Sequence, residues 1–228
     1  METISLSDIA LQQPAQARQL ILLFHGVGAQ PRDMAPLGAF FAEGFPQAAI
    51  VAVASPFASD FGSGYQWFSV LGITEENRAA RVAAVMESFR QRVRHWQGVT
   101  GTGAAQTTLV GFSQGAIMLL EGVASTSDLA SRVVGLSGRF ARLPEVMHNK
   151  TTVHLIHGKA DQVISCEHTV QAARRLRSLG VDVTAEIIPF LSHGIDQEVA
   201  ERALHLLKNH LPRRVWDDAL QATPDVAP

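Results

Sequence analysis

Short, almost wholly apolar runs alternate along the chain with longer stretches in which apolar residues recur every three or four positions. The short runs are apolar on both alternating faces, which is typical of strands in a parallel sheet that is covered on both sides. They predict six strands, at 19–24, 48–54, 107–110, 133–136, 152–156 and 181–188. A further edge strand is predicted at 3–6.

The longer stretches predict amphipathic helices between these strands. Residues 78–96 show one apolar stripe opposite an arginine-rich face, formed by Val82, Val85, Met86, Phe89, Val93 and Trp96. Further helices are predicted at 114–124, 167–179 and 195–211. Alternating strands and helices imply βαβ units, and therefore an α/β protein with a mostly parallel, doubly wound sheet in one domain, 1–228. Residues 213–228 are expected to form a surface tail that packs through Trp216 and then frays.

Composition excludes several classes of function. A formal net charge of −2 over 228 residues gives neither nucleic acid nor an anionic membrane a charged surface to bind. The apolar runs are far shorter than the ~20 residues that span a bilayer. The N-terminal residues lack the basic start and apolar core of a secretory signal. We therefore expect a cytoplasmic protein with no integral membrane contact and no nucleic-acid partner.

Candidate chemistry begins at the sequence GFSQG, residues 111–115, where a predicted strand gives way to a predicted helix. A tight strand-to-helix turn holds its serine in an uncommon backbone conformation, and the flanking glycines relieve the crowding that results. Such a turn presents the hydroxyl at the carboxyl edge of the sheet. Ser113 is thus predicted to be a nucleophile, although a serine at a helix entry in a glycine-rich turn is an alternative interpretation.

A serine nucleophile needs a base, and the base needs an acid that orients it. In a sheet of this kind the two follow the nucleophile along the chain, first the acid and then a histidine, each after a strand. Asp161 follows the strand at 152–156, and His193 follows the strand at 181–188. We therefore predict Asp161 as the acid and His193 as the base, and we assign His154 and His157 to a strand or its end.

Acyl transfer also needs N–H donors for the negative oxygen of the tetrahedral intermediate. The backbone amide of Gln114, directly after the nucleophile, is one candidate. The loop HGVG at 25–28 follows the first apolar run, and the amide of Val27 is the second candidate. This chemistry requires no cofactor and no metal, and the sequence holds neither an HExxH pattern nor a cysteine cluster.

The sequence resembles the phospholipase/carboxylesterase family of α/β-hydrolases, which includes bacterial carboxylesterases and acyl-protein thioesterases. The resemblance covers about residues 20–211 and lies in LFHGVGA (23–29), QWFSV (66–70), LVGFSQGAIML (109–119), LSGRF (136–140), HGKADQVI (157–164) and LSHGID (191–196). It implies an α/β-hydrolase fold with Ser113 as nucleophile, Asp161 as orienting acid and His193 as base. The chain departs from the thioesterase members at Ser69, where they carry an aspartate.

These features predict a carboxylesterase-type serine hydrolase that cleaves a small-molecule acyl ester, or an acyl thioester, through an acyl-enzyme. Lysophospholipase and acyl-protein thioesterase activities are alternatives, and an acyltransferase or a peptidase would use the same three residues. A non-catalytic binding protein on this scaffold is an alternative from a different class.

The aromatic-rich segment at 61–72 would lie at the functional edge of the sheet, where it could line an apolar acyl pocket or anchor the loop to the core. The predicted pocket residues are Trp67, Phe68, Leu71, Phe140 and Leu191.

Overall fold

The structure of the protein is a computed structural model that describes residues 7–147 and 150–222, with only the backbone of 221 and 222. The edge strand predicted at 3–6 lies outside the described residues.

Within the described residues a seven-stranded sheet forms the core of the fold, in the spatial order β1-β3-β2-β6-β7-β8-β9. Only β1 runs antiparallel to its neighbour, and all the other pairs in this sheet are parallel. The predicted mostly parallel sheet is therefore confirmed. The strands are β1 (Ile9–Gln12), β2 (Gln19–Phe24), β3 (Ala48–Val53), β6 (Thr107–Phe112), β7 (Arg132–Leu136), β8 (Thr152–Gly158) and β9 (Val183–Ile188), while β4 (Phe57–Ala58) and β5 (Tyr65–Gln66) form a separate hairpin.

Six helices connect or follow these strands within the described residues: α1 (Ala35–Gly44), α2 (Glu75–Thr100), α3 (Gln114–Ala124), α4 (Glu167–Ser178), α5 (Gln197–Asn209) and α6 (Arg213–Ala222). The four predicted helices correspond to α2, α3, α4 and α5. Helix α2 is capped by Thr74, whose hydroxyl accepts a hydrogen bond from the Asn77 amide, and by Gly101, whose φ is 67°. Capping at both ends explains why this helix is longer than its apolar stripe.

Helix α1 was not predicted, because Pro36 and Gly38 interrupt a short segment that is apolar on most sides. Gly38 has a packing role: a Cβ there would lie 2.2 Å from Leu11 Cδ1 of β1. The antiparallel edge strand β1, which was also not predicted, pairs with β3.

The expectation for the C-terminal segment was wrong in one respect. Residues 213–222 form helix α6, and Trp216 is 58% exposed, so its indole does not anchor the segment. Polar contacts attach the helix instead. The Arg213 amide donates to Asp182 Oδ2 at 3.0 Å, and the Arg214 guanidinium donates to Thr152 Oγ1 at 3.2 Å.

Two apolar layers cover the sheet, since successive residues along a strand point to opposite faces. Leu20, Leu22 and Phe24 of β2 face the layer that contains α2, α3 and α4. Ile21 and Leu23 face the layer that contains α1 and α5. None of the helices within the described residues is long and apolar enough to span a bilayer.

Phe89→Ala in α2 should lower the free energy of unfolding by about 3–5 kcal/mol, because it empties a fully enclosed position. The Phe89 ring is 1% exposed and packs against the rings of Phe24 and Trp67. Urea unfolding followed by circular dichroism measures the change. Val99→Ala, on an exposed part of the same helix, is the control and should change stability by less than about 0.5 kcal/mol. Equal effects of the two substitutions would contradict this packing.

Candidate active site

Ser113 lies in the tight turn between β6 and α3, with φ of 52° and ψ of −113°. The glycines on either side are required by close backbone contacts. A Cβ on Gly115 would lie 2.2 Å from the Phe24 carbonyl oxygen, and one on Gly111 would lie 2.6 Å from the Gly115 carbonyl. The Ser113 amide donates to the Leu136 carbonyl at 2.9 Å, which ties the turn to β7. The packing of the sheet thus holds the serine in a conformation that L-residues seldom adopt.

The imidazole of His193 lies between Ser113 and Asp161. Its Nε2 is 3.0 Å from Ser113 Oγ, and its Nδ1 is 2.7 Å from Asp161 Oδ2. An ionised carboxylate only accepts hydrogen bonds, so Nδ1 carries the proton and Nε2 is free to accept from the hydroxyl. The Phe112 ring packs against the imidazole with ring centres 4.9 Å apart. The structure therefore brings together the three side chains that the sequence analysis selected.

Asp161 keeps its charge although its side chain is fully buried. Burial alone would raise the pKa of this carboxyl group. The hydrogen bond from His193 and those from the backbone amides of Ile164 and Val163 outweigh it, so that the pKa lies below its usual value. Oδ1 accepts from both amides, at 2.8 Å from Val163 and 2.9 Å from Ile164. The group is ionised at neutral pH and can stabilise a cationic imidazole.

The loops that carry Asp161 and His193 are fastened to each other. The Ala160 amide donates to the Leu191 carbonyl at 3.0 Å. A Cβ on Gly158 would lie 2.2 Å from the same carbonyl oxygen, so the end of β8 and the loop after β9 touch through their backbones. This contact fixes the distance between acid and base.

The loop after β2 runs beside the nucleophile. A Cβ on Gly26 would lie 3.2 Å from Ser113 Cβ, which puts the next amide, that of Val27, at the edge of the site. Among the described residues, the amides of Val27 and Gln114 have no protein acceptor. Gln114 directly follows Ser113, and Val27 lies in the loop that touches Ser113 at Gly26, so both amides remain candidate donors to a ligand.

Buried hydrogen bonds hold this loop in shape. Burial lowers the pKa of His25, which is neutral, so its Nε2 can accept from the Ser55 amide at 3.3 Å. Its Nδ1 donates to the Gly26 carbonyl at 2.8 Å. Gly28, with φ of 77°, donates its amide to the Tyr65 carbonyl at 2.8 Å and so joins the loop to β5.

The side chain of Gln114 has a role that the sequence analysis missed. Its Oε1 accepts from the Trp67 amide and its Nε2 donates to the Phe68 carbonyl, both at 2.7 Å. The Trp67 indole in turn donates to the His25 carbonyl at 2.9 Å. One amide side chain therefore couples the nucleophile turn to the aromatic segment and to the loop after β2. No local pattern signals a contact across 47 positions.

The five predicted pocket residues occupy different environments. Trp67, Phe68 and Phe140 are at most 3% exposed and belong to the core layer that contains α2. Leu191 packs against the opposite layer, and Leu71 is 60% exposed. This placement favours the anchoring interpretation for Trp67 and Phe68, because their surface is already used in the core.

Asp60 stands close to the position at which the chain departs from the thioesterase pattern. Its Oδ2 accepts from Ser69 Oγ and from the Val70 amide, both at 2.7 Å. A carboxylate nine positions earlier in the chain thus accepts from Ser69 and holds the segment that follows the Trp-Phe pair.

His157 is a further residue whose contact the sequence analysis missed. Its Nε2 is 3.1 Å from Asp161 Oδ2, and its side chain is completely buried. The spacing of four positions in HGKAD was the available signal, but the residue was assigned only to the end of a strand.

Several loops that carry or follow the candidate groups along the chain expose large apolar side chains. They lie in the loop after β2, in the β4–β5 hairpin, in the segment after β5, and in the loops that hold the acid and the base. This apolar rim consists of Val27, Phe61, Leu71, Val163 and Phe190.

Comparisons with known proteins agree with the fold and extend over most of the chain. A sequence model described as phospholipase/carboxylesterase matches residues 8–211. The chain is 49% identical over 204 residues to a protein named esterase YpfH from Escherichia coli (strain K12), covering 90% of this chain and 88% of that protein. A second match, acyl-protein thioesterase 1 of Gibberella zeae, is 32% identical over 122 residues and covers 50% of this chain and 52% of that protein.

Among solved structures, the crystal structure of esterase PE8 superposes with a TM-score of 0.80 at 29% identity, covering 86% of this chain and 94% of that one. The α/β-hydrolase fold that the resemblance implied is confirmed.

Gly115→Ala should destabilise the protein by about 1–3 kcal/mol and reduce ester hydrolysis, because the new methyl group pushes the nucleophile turn away from β2. Gly98→Ala is the matched control, since a Cβ at Gly98 meets nothing within 4 Å. It should be neutral or stabilise helix α2 by up to about 1 kcal/mol. Urea unfolding and p-nitrophenyl acetate hydrolysis report both effects, and wild-type behaviour of Gly115→Ala would contradict the close contact with Phe24.

Proposed function

Since the chain belongs to the phospholipase/carboxylesterase family of hydrolases, we propose that Ser113, His193 and Asp161 form the triad with which it cleaves carboxylic esters. The protein is an enzyme of the carboxylesterase type. One observation carries the assignment of the residues: the His193 imidazole bonds the Ser113 hydroxyl on one side and the Asp161 carboxylate on the other, at 3.0 and 2.7 Å. That is the arrangement which activates an alcohol at neutral pH.

In the proposed reaction, His193 removes the proton of the Ser113 hydroxyl while the oxygen attacks the ester carbonyl carbon. The amides of Val27 and Gln114 donate to the carbonyl oxygen as it becomes negative, and one such donor typically contributes about 3–4 kcal/mol to transition-state stabilisation. His193 then gives its proton to the departing alcohol, which leaves an acyl-enzyme. The same imidazole activates a water molecule that releases the carboxylic acid and restores the serine.

The apolar rim supports small-molecule esters with an apolar acyl chain as substrates. Loops that carry or adjoin the proposed triad expose aliphatic and aromatic side chains, and an acyl chain bound to Ser113 Oγ that covered them would remove apolar surface from water. The match to an acyl-protein thioesterase covers only half of this chain, so acyl thioesters and lysophospholipids are comparison substrates in the tests. The cytoplasmic location remains a prediction.

Ser113→Ala, His193→Ala and Asp161→Asn should each reduce kcat by about 10⁴-fold or more, because each breaks the proton path to the attacking oxygen. Steady-state hydrolysis of p-nitrophenyl butyrate measures the loss. The matched control is Asp182→Asn. Asp182 also bonds a histidine, His210, at 3.1 Å, but it lies at the amino ends of the strands, whereas the candidate triad lies at their carboxyl ends. This control should lose stability and keep kcat. Full activity of Asp161→Asn would show that another group is the acid.

A series of p-nitrophenyl esters from acetate to decanoate tests the apolar rim. We expect kcat/KM to rise by about 2-fold for each added methylene until the chain passes the rim, as partial burial of each group would give. Leu71→Ser should flatten this rise, whereas Leu220→Ser, an exposed leucine on α6, should leave it unchanged. Butyryl-CoA and a lysophospholipid are assayed beside the series. A profile independent of chain length would contradict an apolar acyl site.

A further inference from the structure

A second buried histidine contacts the carboxylate oxygen that His193 uses. His157 is the last residue but one of β8, and its Nε2 lies 3.1 Å from Asp161 Oδ2 and 2.8 Å from the Ile164 carbonyl oxygen. A carbonyl oxygen only accepts hydrogen bonds, so Nε2 must carry a proton, and this single proton is shared between the Ile164 carbonyl and Asp161 Oδ2. Nδ1 lies 2.8 Å from Thr169 Oγ1. The Thr169 hydroxyl therefore donates to Nδ1, and the two contacts together fix the tautomer of His157.

The His157 imidazole is neutral. Burial lowers its pKa, and the hydrogen bonds to Ile164 and Asp161 only partly oppose this effect. The titratable groups that face it are Asp161 from the loop after β8, His193 from the loop after β9 and His168 from α4. A neutral donor bonds the carboxylate without cancelling its charge, which remains available to the imidazole of His193.

With His157 included, every acceptor position of the Asp161 carboxylate is used. An ionised carboxylate offers about four lone-pair sites. Oδ1 accepts the amides of Val163 and Ile164, and Oδ2 accepts His193 and His157. The side chain is fully buried, so water cannot replace a missing donor.

We propose that His157 is a positioning residue of the esterase, a neutral imidazole that holds Asp161 Oδ2 in line with His193 and shares its charge. The proposal rests on the triad proposed above. His157 does not touch the substrate and acts through Asp161 alone. Thr169 supports it by keeping the proton on Nε2.

His157→Leu should lower kcat about 10- to 100-fold with KM within about 2-fold of wild type, which is the effect of losing one hydrogen bond to a charged group. Rates are expressed per active site titrated with a fluorophosphonate, so that unfolded protein does not count. The acid limb of the kcat/KM profile should move to higher pH. With one donor fewer, the Asp161 carboxylate binds a proton more readily, and its charge also attracts a proton to His193 more strongly. Both changes mean that, on acidification, the base loses its activity at a higher pH than in the wild type.

His157→Gln is the conservative variant, because its amide N–H can reach the position of Nε2. It should restore kcat to within a few-fold of wild type and return the acid limb toward its original pH. Thr169→Val removes the hydroxyl with little change of shape and should give a smaller loss of kcat, about 3- to 10-fold, with the same direction of pH shift. Thr169→Ser should behave as wild type. The threonine pair keeps the proposal testable if His157→Leu does not fold.

His154→Leu is the control for a purely structural role, since His154 is an equally buried histidine of β8 whose Nδ1 hydrogen-bonds Thr184 Oγ1. It should leave the rate per titrated site and the pH profile unchanged, whatever it does to stability. A wild-type rate and profile in His157→Leu and in Thr169→Val, with Asp161→Asn inactive, would overturn the positioning role and leave the triad standing. An active Asp161→Asn would instead overturn the triad on which the inference rests.

Discussion

The burial of one charged carboxylate is the constraint on which the site depends. Asp161 has no contact with water, so its charge is tolerable only because protein donors fill its acceptor positions. Two of these donors are amides of the loop in which it lies, and the others are imidazoles from β8 and from the loop after β9. Hydrogen-bonding this carboxylate therefore fixes the position of the loop after β8 relative to the loop after β9. The position of the base follows from the same requirement.

Backbone contacts impose a second, steric constraint at the centre of the sheet. The strained turn at Ser113 is held by three contacts. Gly115 lies against the Phe24 carbonyl of β2, Gly111 lies against Gly115 across the turn, and the Ser113 amide donates to Leu136 of β7. The amide groups of the nucleophile turn and of the loop after β2 are thereby brought next to the hydroxyl. Gln114 then links this rigid centre to the aromatic segment, whose tryptophan belongs to the core. A few buried hydrogen bonds thus connect the apolar core to the turn that carries Ser113.

The sequence predicts the parts of this molecule that follow from local pattern and from chain order. Runs that are apolar on both alternating faces identify the six parallel strands. Chain order then identifies the candidate triad: Ser113 lies between glycines after one strand, and Asp161 and His193 follow later strands. Local pattern does not predict the elements whose position is set by contacts between residues far apart in the chain. Helix α1 packs on the sheet through Leu37 and Phe41, and α6 is bonded to Asp182 while Trp216 is exposed. The assignment of His157 to the end of a strand is correct, but strand position alone does not show that its buried imidazole reaches Asp161.

Locating the reactive hydroxyl tests the central claim most directly, because the whole account requires one serine to be activated by one imidazole and one buried carboxylate. The measurement is peptide mapping by mass spectrometry after reaction with a fluorophosphonate, on the native protein and on Ser113→Ala. We predict a single adduct on Ser113 in the native protein, with a stoichiometry close to one, and none in the variant. An adduct on another residue, or a folded native protein that does not react, would contradict the account.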